Sequence, residues 1–136
     1  MEQCVADLHN PMLRLTGAAQ KNGEIIGFLA SMANGIGFEP MIEYLCVDEK
    51  MRGQGVGTNL IAHFENVMFP TADNLYMFVS DINPGAIRLY VRLGYHQVAA
   101  LPNFNLVGQT EFLHRKFRRP RQEARMYEQQ GKIKGK

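Results

Sequence analysis

The chain has 136 residues, of which 46% are hydrophobic and 21% are charged, and its formal net charge is +2. This composition suits one domain with a hydrophobic core, is too small for two, and excludes an intrinsically disordered chain. No run of about 18 apolar residues occurs, so we expect no transmembrane helix. The first residues, Met1-Glu2-Gln3-Cys4, lack the apolar region of a secretory signal, and we therefore expect a cytoplasmic protein.

Positive charge is concentrated at the end of the chain. From Arg115 onward, nine Lys and Arg minus two Glu give +7, and the net charge of +2 then leaves −5 for the preceding residues. A basic tail on an acidic body could contact nucleic acid, the ribosome or an acidic partner, but a solvated, partly disordered extension is the preferred interpretation. We predict a folded domain over residues 1–117 and a basic tail over 118–136.

The two cysteines, Cys4 and Cys46, do not have the spacing of metal ligands, and no metal site is expected. Cys46 lies in an apolar run, which predicts a buried small hydrophobic side chain. In a cytoplasmic protein both thiols are expected to be free.

The first half of the chain reads as strands. Residues 1–11 end in Asn10-Pro11 and are predicted to form a turn or a short piece of helix. Lys21-Asn22-Gly23 predicts a hairpin turn, because Asn-Gly accommodates positive φ. Residues 33–37 are predicted as a loop. The predicted strands are 12–19, 24–32 and 41–47.

The second half alternates helices and strands. Between 55 and 68 the apolar residues have helical spacing, and Pro70 ends the helix. The nearly continuous apolar run 74–80 predicts a buried strand. Asn83 is a suitable N-cap and Pro84 a suitable first residue for a second helix that ends at Gly94. Two last strands are predicted at 96–100 and 111–117.

A glycine-rich turn over 48–57 joins the strand at 41–47 to the first helix. Amides at a helix start lack intrahelical partners, the helix dipole adds positive charge there, and glycines let an anion approach. Gly53, Gly55 and Gly57 alternate beside Arg52, so this turn is a candidate phosphate site. A tight turn without a ligand is the alternative.

Two common nucleotide motifs are excluded at this turn. Gly57-Thr58-Asn59 lacks the lysine of the P-loop, so a nucleoside triphosphatase is not expected. The glycines also have the wrong spacing for the dinucleotide-binding fingerprint.

Two segments together resemble the GNAT superfamily of N-acetyltransferases. The first is Arg52-Gly53-Gln54-Gly55-Val56-Gly57, which corresponds to the family's Arg/Gln-x-x-Gly-x-Gly/Ala. The second corresponds to the family's Asn-x-x-Ala-x-x-x-Tyr-x-x-x-Gly-Phe/Tyr and reads Asn83-Pro84-Gly85-Ala86-Ile87-Arg88-Leu89-Tyr90-Val91-Arg92-Leu93-Gly94-Tyr95. The resemblance covers roughly residues 23–116, and two motifs in this order are more specific than either alone.

The resemblance implies a fold and a co-substrate. The expected fold is α/β (α+β), with a mixed, mostly antiparallel central sheet and a strand–turn–helix–strand–helix core that binds acyl-CoA. The expected co-substrate is acetyl-CoA, with the pyrophosphate on the glycine-rich turn and the pantetheine arm along the preceding strand. The residues implied in binding are Leu45, Cys46, Val47, Arg52, Gly53, Gln54, Gly55, Val56, Gly57, Thr58, Asn83 and Tyr90.

Two catalytic residues are predicted for transfer of the acetyl group to a primary amine. The resemblance implies Tyr90 as general acid, and a phenol with a pKa near ~10 can protonate the departing thiolate; a core aromatic is the alternative. Glu43 is the predicted general base. On a regular strand it shares a face with Leu45 and Val47, so a structural carboxylate is its alternative. Glu39 is a weaker candidate base, and Ser80 a candidate for the cleft lining.

The sequence departs from the family before the first hairpin, where the usual first strand and helices look reduced. The acceptor site is then expected to be open and suited to a large substrate, or incomplete. A homodimer or the tail is expected to cover the exposed sheet edge. Two other functions therefore stay open: a non-catalytic acyl-CoA-binding or interaction module, and a nucleic-acid- or ribosome-associated protein that uses the tail.

Overall fold

The computed structural model describes residues 3–8, 14–20 and 22–118. The helices are α1 (Val56–Met68) and α2 (Pro84–Arg92), and a 3₁₀ turn lies at Glu49–Met51. The strands are β1 (Gln3–Leu8), β2 (Arg14–Gln20), β3 (Ile25–Ile36), β4 (Glu39–Val47), β5 (Asn74–Ser80), β6 (His96–Pro102) and β7 (Thr110–Phe117).

The described strands form one sheet in the order β1-β2-β3-β4-β5-β7-β6. Every neighbouring pair is antiparallel except β4 and β5, which are parallel. The predicted mixed, mostly antiparallel sheet is therefore confirmed. None of the described helices is long and apolar enough to cross a membrane.

Both helices pack on one face of the sheet, here termed the helix face. His114 of β7 contacts Tyr90 of α2 with ring centroids 6.4 Å apart. Lys116, two residues further along the same face of β7, binds Glu65 of α1 at 2.9 Å. The core lies between the sheet and these helices and includes Ile26, Leu29, Ile42, Leu60, Ile61, Phe64, Leu75, Met77 and Val79.

The opposite face, here termed the open face, carries the alternate residues of the same strands. Its aromatic side chains include Phe28 and Tyr44, which are 37% and 62% exposed. No helix among the described residues covers this face.

The start of α1 lies directly against the sheet because residue 27 is a glycine. A Cβ atom at Gly27 would lie 2.9 Å from Val56 Cγ1 and 3.0 Å from the carbonyl oxygen of Cys46. Both distances are too short for a real side chain. Gly27 therefore lets the first turn of α1 approach β3 and fixes that helix terminus beside the end of β4.

β4 and β5 pair over only two residue pairs, Met41 with Tyr76 and Ile42 with Met77. Beyond this point β4 continues along β3 as far as Val47, and β5 continues along β7 as far as Ser80. The two central strands therefore diverge, and a gap opens in the middle of the sheet.

A β-bulge in β4 stands where the gap begins. Ala30 of β3 pairs with Tyr44, but Ser31 pairs with Ile42, so Glu43 is an extra residue without a partner on β3. Bulges bend and twist a strand locally. This bulge therefore favours the departure of β4 from β5.

Most of the predicted elements are confirmed. α1 spans Val56–Met68 against a predicted 55–68, β5 matches the predicted 74–80, and α2 begins at Pro84. The Asn83 side chain accepts a hydrogen bond from the Ala86 amide at 3.1 Å and so caps α2 as expected.

Two predictions in the first half are wrong. Residues 3–8, predicted as turn or helix, form β1, because antiparallel pairing with β2 along their whole length overrides weak local preferences. Residues 33–36, predicted as loop, extend β3, which turns back into β4 only at Gly37 and Phe38. A first strand is therefore present, and only residues 9–13 separate it from β2.

Candidate active site

A cleft of about 850 Å³ occupies the gap between the diverging ends of β4 and β5. The start of α1 forms one end, and α2 forms a side wall. Except for Gln54, the predicted site residues all line it: Glu43, Leu45, Cys46, Val47, Arg52, Gly53, Gly55, Val56, Gly57, Thr58, Asn83 and Tyr90. Ser80 also lines the cleft.

The cleft passes through the sheet and reaches both faces. From the helix face it is lined by Leu45, Val79 and Tyr90, which pack with the core. From the open face it is lined by Tyr44 and Phe78. Two molecules can therefore enter from opposite sides and meet in the gap.

The glycine-rich turn presents backbone amides to the cleft. Gly53 and Gly55 have φ values of 79° and 81°, a region that side chains disfavour. Gly55 is the N-cap of α1 and, as a glycine, has no side chain that could cap the first turn. The amides and the positive end of the helix dipole are therefore available to an anion.

Three arginines reinforce the positive potential around the cleft. Arg52 comes from the turn, whereas Arg88 and Arg92 come from α2, and all three are exposed cleft-lining residues. Arg88 and Arg92 are additional to the predicted site residues. Their spacing of four residues on one helix, with Arg92 two after Tyr90, is the sequence signal for this pair. Guanidinium groups suit phosphate oxygens.

Tyr90 is a buried titratable residue that lines the cleft. Tyr90 is 5% exposed. Its ring packs against the rings of Tyr95 and His114, and in each pair the ring centroids lie 6.4 Å apart. The hydroxyl makes no hydrogen bond with any residue in the described ranges. It can therefore donate to a ligand in the cleft.

Burial, with a smaller contribution from the nearby Cys46, raises the pKa of Tyr90 to about 12. Desolvation acts in this direction because it disfavours the phenolate. Tyr90 therefore keeps its proton throughout the physiological pH range.

A cluster of polar side chains that includes Tyr95 lies next to Tyr90. The Tyr95 hydroxyl donates to Glu65 at 3.3 Å, and Lys116 donates to both oxygens of the same carboxylate at 2.9 and 3.0 Å. The cluster joins α1, the end of the α2 segment and β7. It holds the surroundings of the Tyr90 ring in place.

His114 is buried in the same region and points its Nδ1 at the Phe112 carbonyl, 3.2 Å away. Burial lowers the pKa of His114 below its usual range. The ring against Tyr90 is therefore neutral at pH 7, and Tyr90 has no imidazolium beside it.

The bulge interrupts the alternation of β4 beside Glu43. Ile42 and Leu45 both lie on the helix face although they are three residues apart. From Glu43 onward burial alternates, with Glu43, Leu45 and Val47 half-buried and Tyr44 and Cys46 exposed, so Glu43 remains in the row of Leu45 and Val47, as expected. Glu43 is half-buried and lines the cleft. Glu39 lies outside the cleft, and its carboxylate accepts a hydrogen bond from the Asn74 side chain at 3.5 Å.

The prediction of a buried Cys46 is wrong. Cys46 is exposed and free, and it lines the cleft. The apolar run of β4 suggested burial on both faces, but within the described part of the chain the second half of this strand has neither β5 beside it nor a helix over its open face. No group of three or more His, Cys, Asp or Glu in the described part of the chain could hold a metal ion.

Sequence relatives share this arrangement of motifs. The model of the acetyltransferase (GNAT) family matches residues 2–95. An uncharacterized N-acetyltransferase of Methanocaldococcus jannaschii is 35% identical over 98 residues, which cover 70% of this chain and 61% of that protein. This chain therefore matches less than two thirds of the length of that relative.

Two solved structures show the same fold. A protein of Desulfovibrio desulfuricans assigned to the GNAT family has a TM-score of 0.70 at 17% identity, over 79% of this chain and 69% of that chain. A protein of Bacillus anthracis named as a streptothricin acetyltransferase, solved with acetyl coenzyme A, has a TM-score of 0.71 at 20% identity, over 81% of this chain and 65% of that chain. The family model covers well over half of the sequence, including the glycine-rich turn and α2, and the chain belongs to the acetyltransferase (GNAT) family.

Proposed function

We propose that this protein is an acetyl-CoA-dependent N-acetyltransferase that transfers the acetyl group directly to a primary amine. The observation that carries the proposal is that one cleft is lined by the start of α1, by Tyr90 and by residues of both faces of the sheet. Such a cleft suits a coenzyme thioester on one side and an amine on the other.

Coenzyme binding uses the positive end of the cleft. The amides from Gly53 to Thr58 hold the pyrophosphate, and Arg52, Arg88 and Arg92 are close enough to the cleft to neutralise phosphate charge. The edge of Leu45–Val47 that faces the gap has no strand partner among the described residues, so it can pair with the amide groups of the pantetheine arm. Asn83 retains its amide N–H groups for the coenzyme, because its oxygen caps α2.

The chemical step forms one C–N bond and breaks one C–S bond. The amine nitrogen attacks the thioester carbonyl, Glu43 takes the proton that the amine loses, and Tyr90 gives its proton to the departing sulfur. Proximity in one cleft makes the attack effectively unimolecular. The fold thus supplies orientation and two proton-transfer groups.

The raised pKa of Tyr90 sets a condition on this step. A solvated thiol has a pKa of about 8.5, so proton transfer from Tyr90 to a solvated thiolate would be unfavourable. A thiolate within the same buried cleft is also desolvated, and desolvation raises its pKa as well. The two pKa values then approach each other, and the transfer becomes feasible.

The proposed function is tested by measuring the release of free coenzyme A thiol from acetyl-CoA in the presence of different amines. The panel contains spermidine, an aminoglycoside, a peptide with a free N-terminus and a lysine-containing peptide. Thiol release that depends on the amine is the expected result. A rise in melting temperature with coenzyme A should accompany it. Stabilisation by the coenzyme without thiol release for any amine would favour a non-catalytic coenzyme-binding module, and no stabilisation would contradict the proposal.

Coenzyme affinity should depend on Gly55 specifically. Gly55→Ala places a side chain at φ 81° in the anion-binding turn, whereas Gly23→Ala places one at φ 83° in the β2–β3 turn. Both variants should lose about 1–2 kcal/mol of unfolding free energy. Only Gly55→Ala should lose coenzyme affinity in calorimetric titration, and equal affinity in both variants would argue against this turn as the phosphate site.

Tyr90→Phe should fold and bind the coenzyme, because phenylalanine keeps the ring contacts with Tyr95 and His114. Its kcat should fall roughly 10²- to 10⁴-fold, the usual contribution of a general acid. Because the pKa of Tyr90 is about 12, the wild-type rate should show no loss from deprotonation of Tyr90 below about pH 11. A variant with unchanged kcat would exclude Tyr90 as the acid.

Glu43→Gln should lower kcat/KM and remove the part of the pH profile in which the rate rises as the base loses its proton. Glu39→Gln is the matched control, because Glu39 lies on the same strand but outside the cleft. An identical pH profile in wild type and Glu43→Gln would assign proton removal to water instead.

A further inference from the structure

Arg88 and Arg92 of α2 are a pair of exposed cations that line the cleft. Positions four residues apart are neighbours on the surface of a helix, and two like charges at this spacing repel each other. Neither side chain forms an ion pair or a hydrogen bond within the described ranges. α2 has nine residues and contains no Asp or Glu that would offset the repulsion. An anion bound by both guanidinium groups would relieve it.

A contact between the two helices places this pair beside the glycine-rich turn. The Cδ2 atom of Leu89 lies 3.5 Å from the position that a Cβ atom of Gly57 would occupy. Gly57 belongs to the first turn of α1, whose amides we assign to the pyrophosphate. Leu89 directly follows Arg88 and comes three residues before Arg92. The two arginines therefore flank the point where α2 touches the start of α1.

The Arg88 side chain lies at the wide end of the gap. Its Nη2 atom is 3.9 Å from the position that a Cβ atom of Gly85 would occupy, so the guanidinium group lies over the first turn of α2. This turn comes shortly after β5, at the end where β4 and β5 are separated. The glycine-rich turn follows β4 at the same end. Arg88 and the predicted pyrophosphate site therefore share one end of the cleft.

Coenzyme A carries two kinds of phosphate, and the glycine-rich turn accounts for only one of them. The pyrophosphate joins the pantetheine arm to the adenosine, whereas the other phosphate is a monoester on the 3′ oxygen of the ribose. A phosphate monoester has a charge of about −1.5 to −2 at pH 7 and three strong acceptor oxygens. Guanidinium groups suit such a phosphate because each can donate two parallel hydrogen bonds to its oxygens.

We propose that Arg88 and Arg92 bind the ribose 3′-phosphate and so make the protein select coenzyme A over 3′-dephospho-coenzyme A. This inference rests on the proposed acetyltransferase function, because it places the pyrophosphate on the turn from Gly53 to Thr58. Arg52 belongs to that turn and serves the pyrophosphate. The 3′-phosphate is at the opposite end of the coenzyme from the thioester, so the pair contributes to coenzyme affinity and takes no part in the transfer of the acetyl group.

The test measures the dissociation constants of coenzyme A and 3′-dephospho-coenzyme A by calorimetric titration, without an acceptor amine. The wild-type protein should bind coenzyme A roughly 10-fold more tightly, as two exposed ion pairs with one phosphate would provide. Arg88→Gln and Arg92→Gln should each weaken coenzyme A binding about threefold and leave the affinity for the dephosphorylated form unchanged. The double variant should bind both ligands with nearly equal affinity. Because both side chains are exposed, the melting temperature of each free variant should match that of the wild type.

Two variants separate this effect from a general loss of positive charge. Lys50→Gln removes an exposed cation from the segment between β4 and α1 that does not line the cleft, so both dissociation constants should stay within about twofold of the wild type. Arg52→Gln should weaken both ligands by the same factor, because both contain the pyrophosphate.

Two results would overturn the inference and leave the acetyltransferase function intact. One is equal affinity of the wild-type protein for the two ligands. The other is an equal loss of affinity for both ligands in the Arg88→Gln and Arg92→Gln variants, which would assign these arginines to the pyrophosphate. A wild-type protein that binds neither ligand would overturn the inference and the proposed function together.

Discussion

The parting of β4 and β5 is the constraint on which the rest of the structure depends. Two adjacent parallel strands pair over only two residue pairs and then separate, with the bulge at Glu43 marking the start of the gap. The turn after β4 and the start of α2 after β5 are thereby brought to the two sides of one opening. A regular sheet from the same strands would close the space between them. The cleft is therefore a consequence of an interrupted ladder of hydrogen bonds.

The sheet tolerates the break between β4 and β5 because both helices pack on one face of it. α1 lies over β3 and β4 while α2 lies over β5 and β7, and the core beneath them is continuous across both halves of the sheet. The Lys116–Glu65–Tyr95 cluster adds a polar link between the halves. Charge is also divided across the gap, since Arg52 of the turn and Arg88 and Arg92 of α2 line the cleft, whereas Glu43 lines it from β4. This division suits an anionic coenzyme and a cationic amine in one cleft.

Local signals in the sequence specify much of this arrangement. The helical spacing from Val56, the Asn83-Pro84 cap and the apolar run of β5 depend on neighbours in the chain, so the pattern alone predicts them correctly. β1 and the bulge depend on pairing with distant strands and have no local signature. The same reason explains Cys46, whose apolar surroundings suggest burial although β4 loses its neighbour there.

The unpaired edge of β4 has a consequence for the protein without its coenzyme. Backbone groups of Leu45–Val47 that face the gap must be satisfied by water in the empty protein, and the pantetheine arm would replace that water with amide partners. The bound coenzyme would then extend the described sheet at this edge in the manner of an added strand. Saturation at 100 times its dissociation constant would add about 2.7 kcal/mol to the unfolding free energy. Cellular abundance of the protein would thus follow the supply of coenzyme, since proteases act mainly on molecules that unfold.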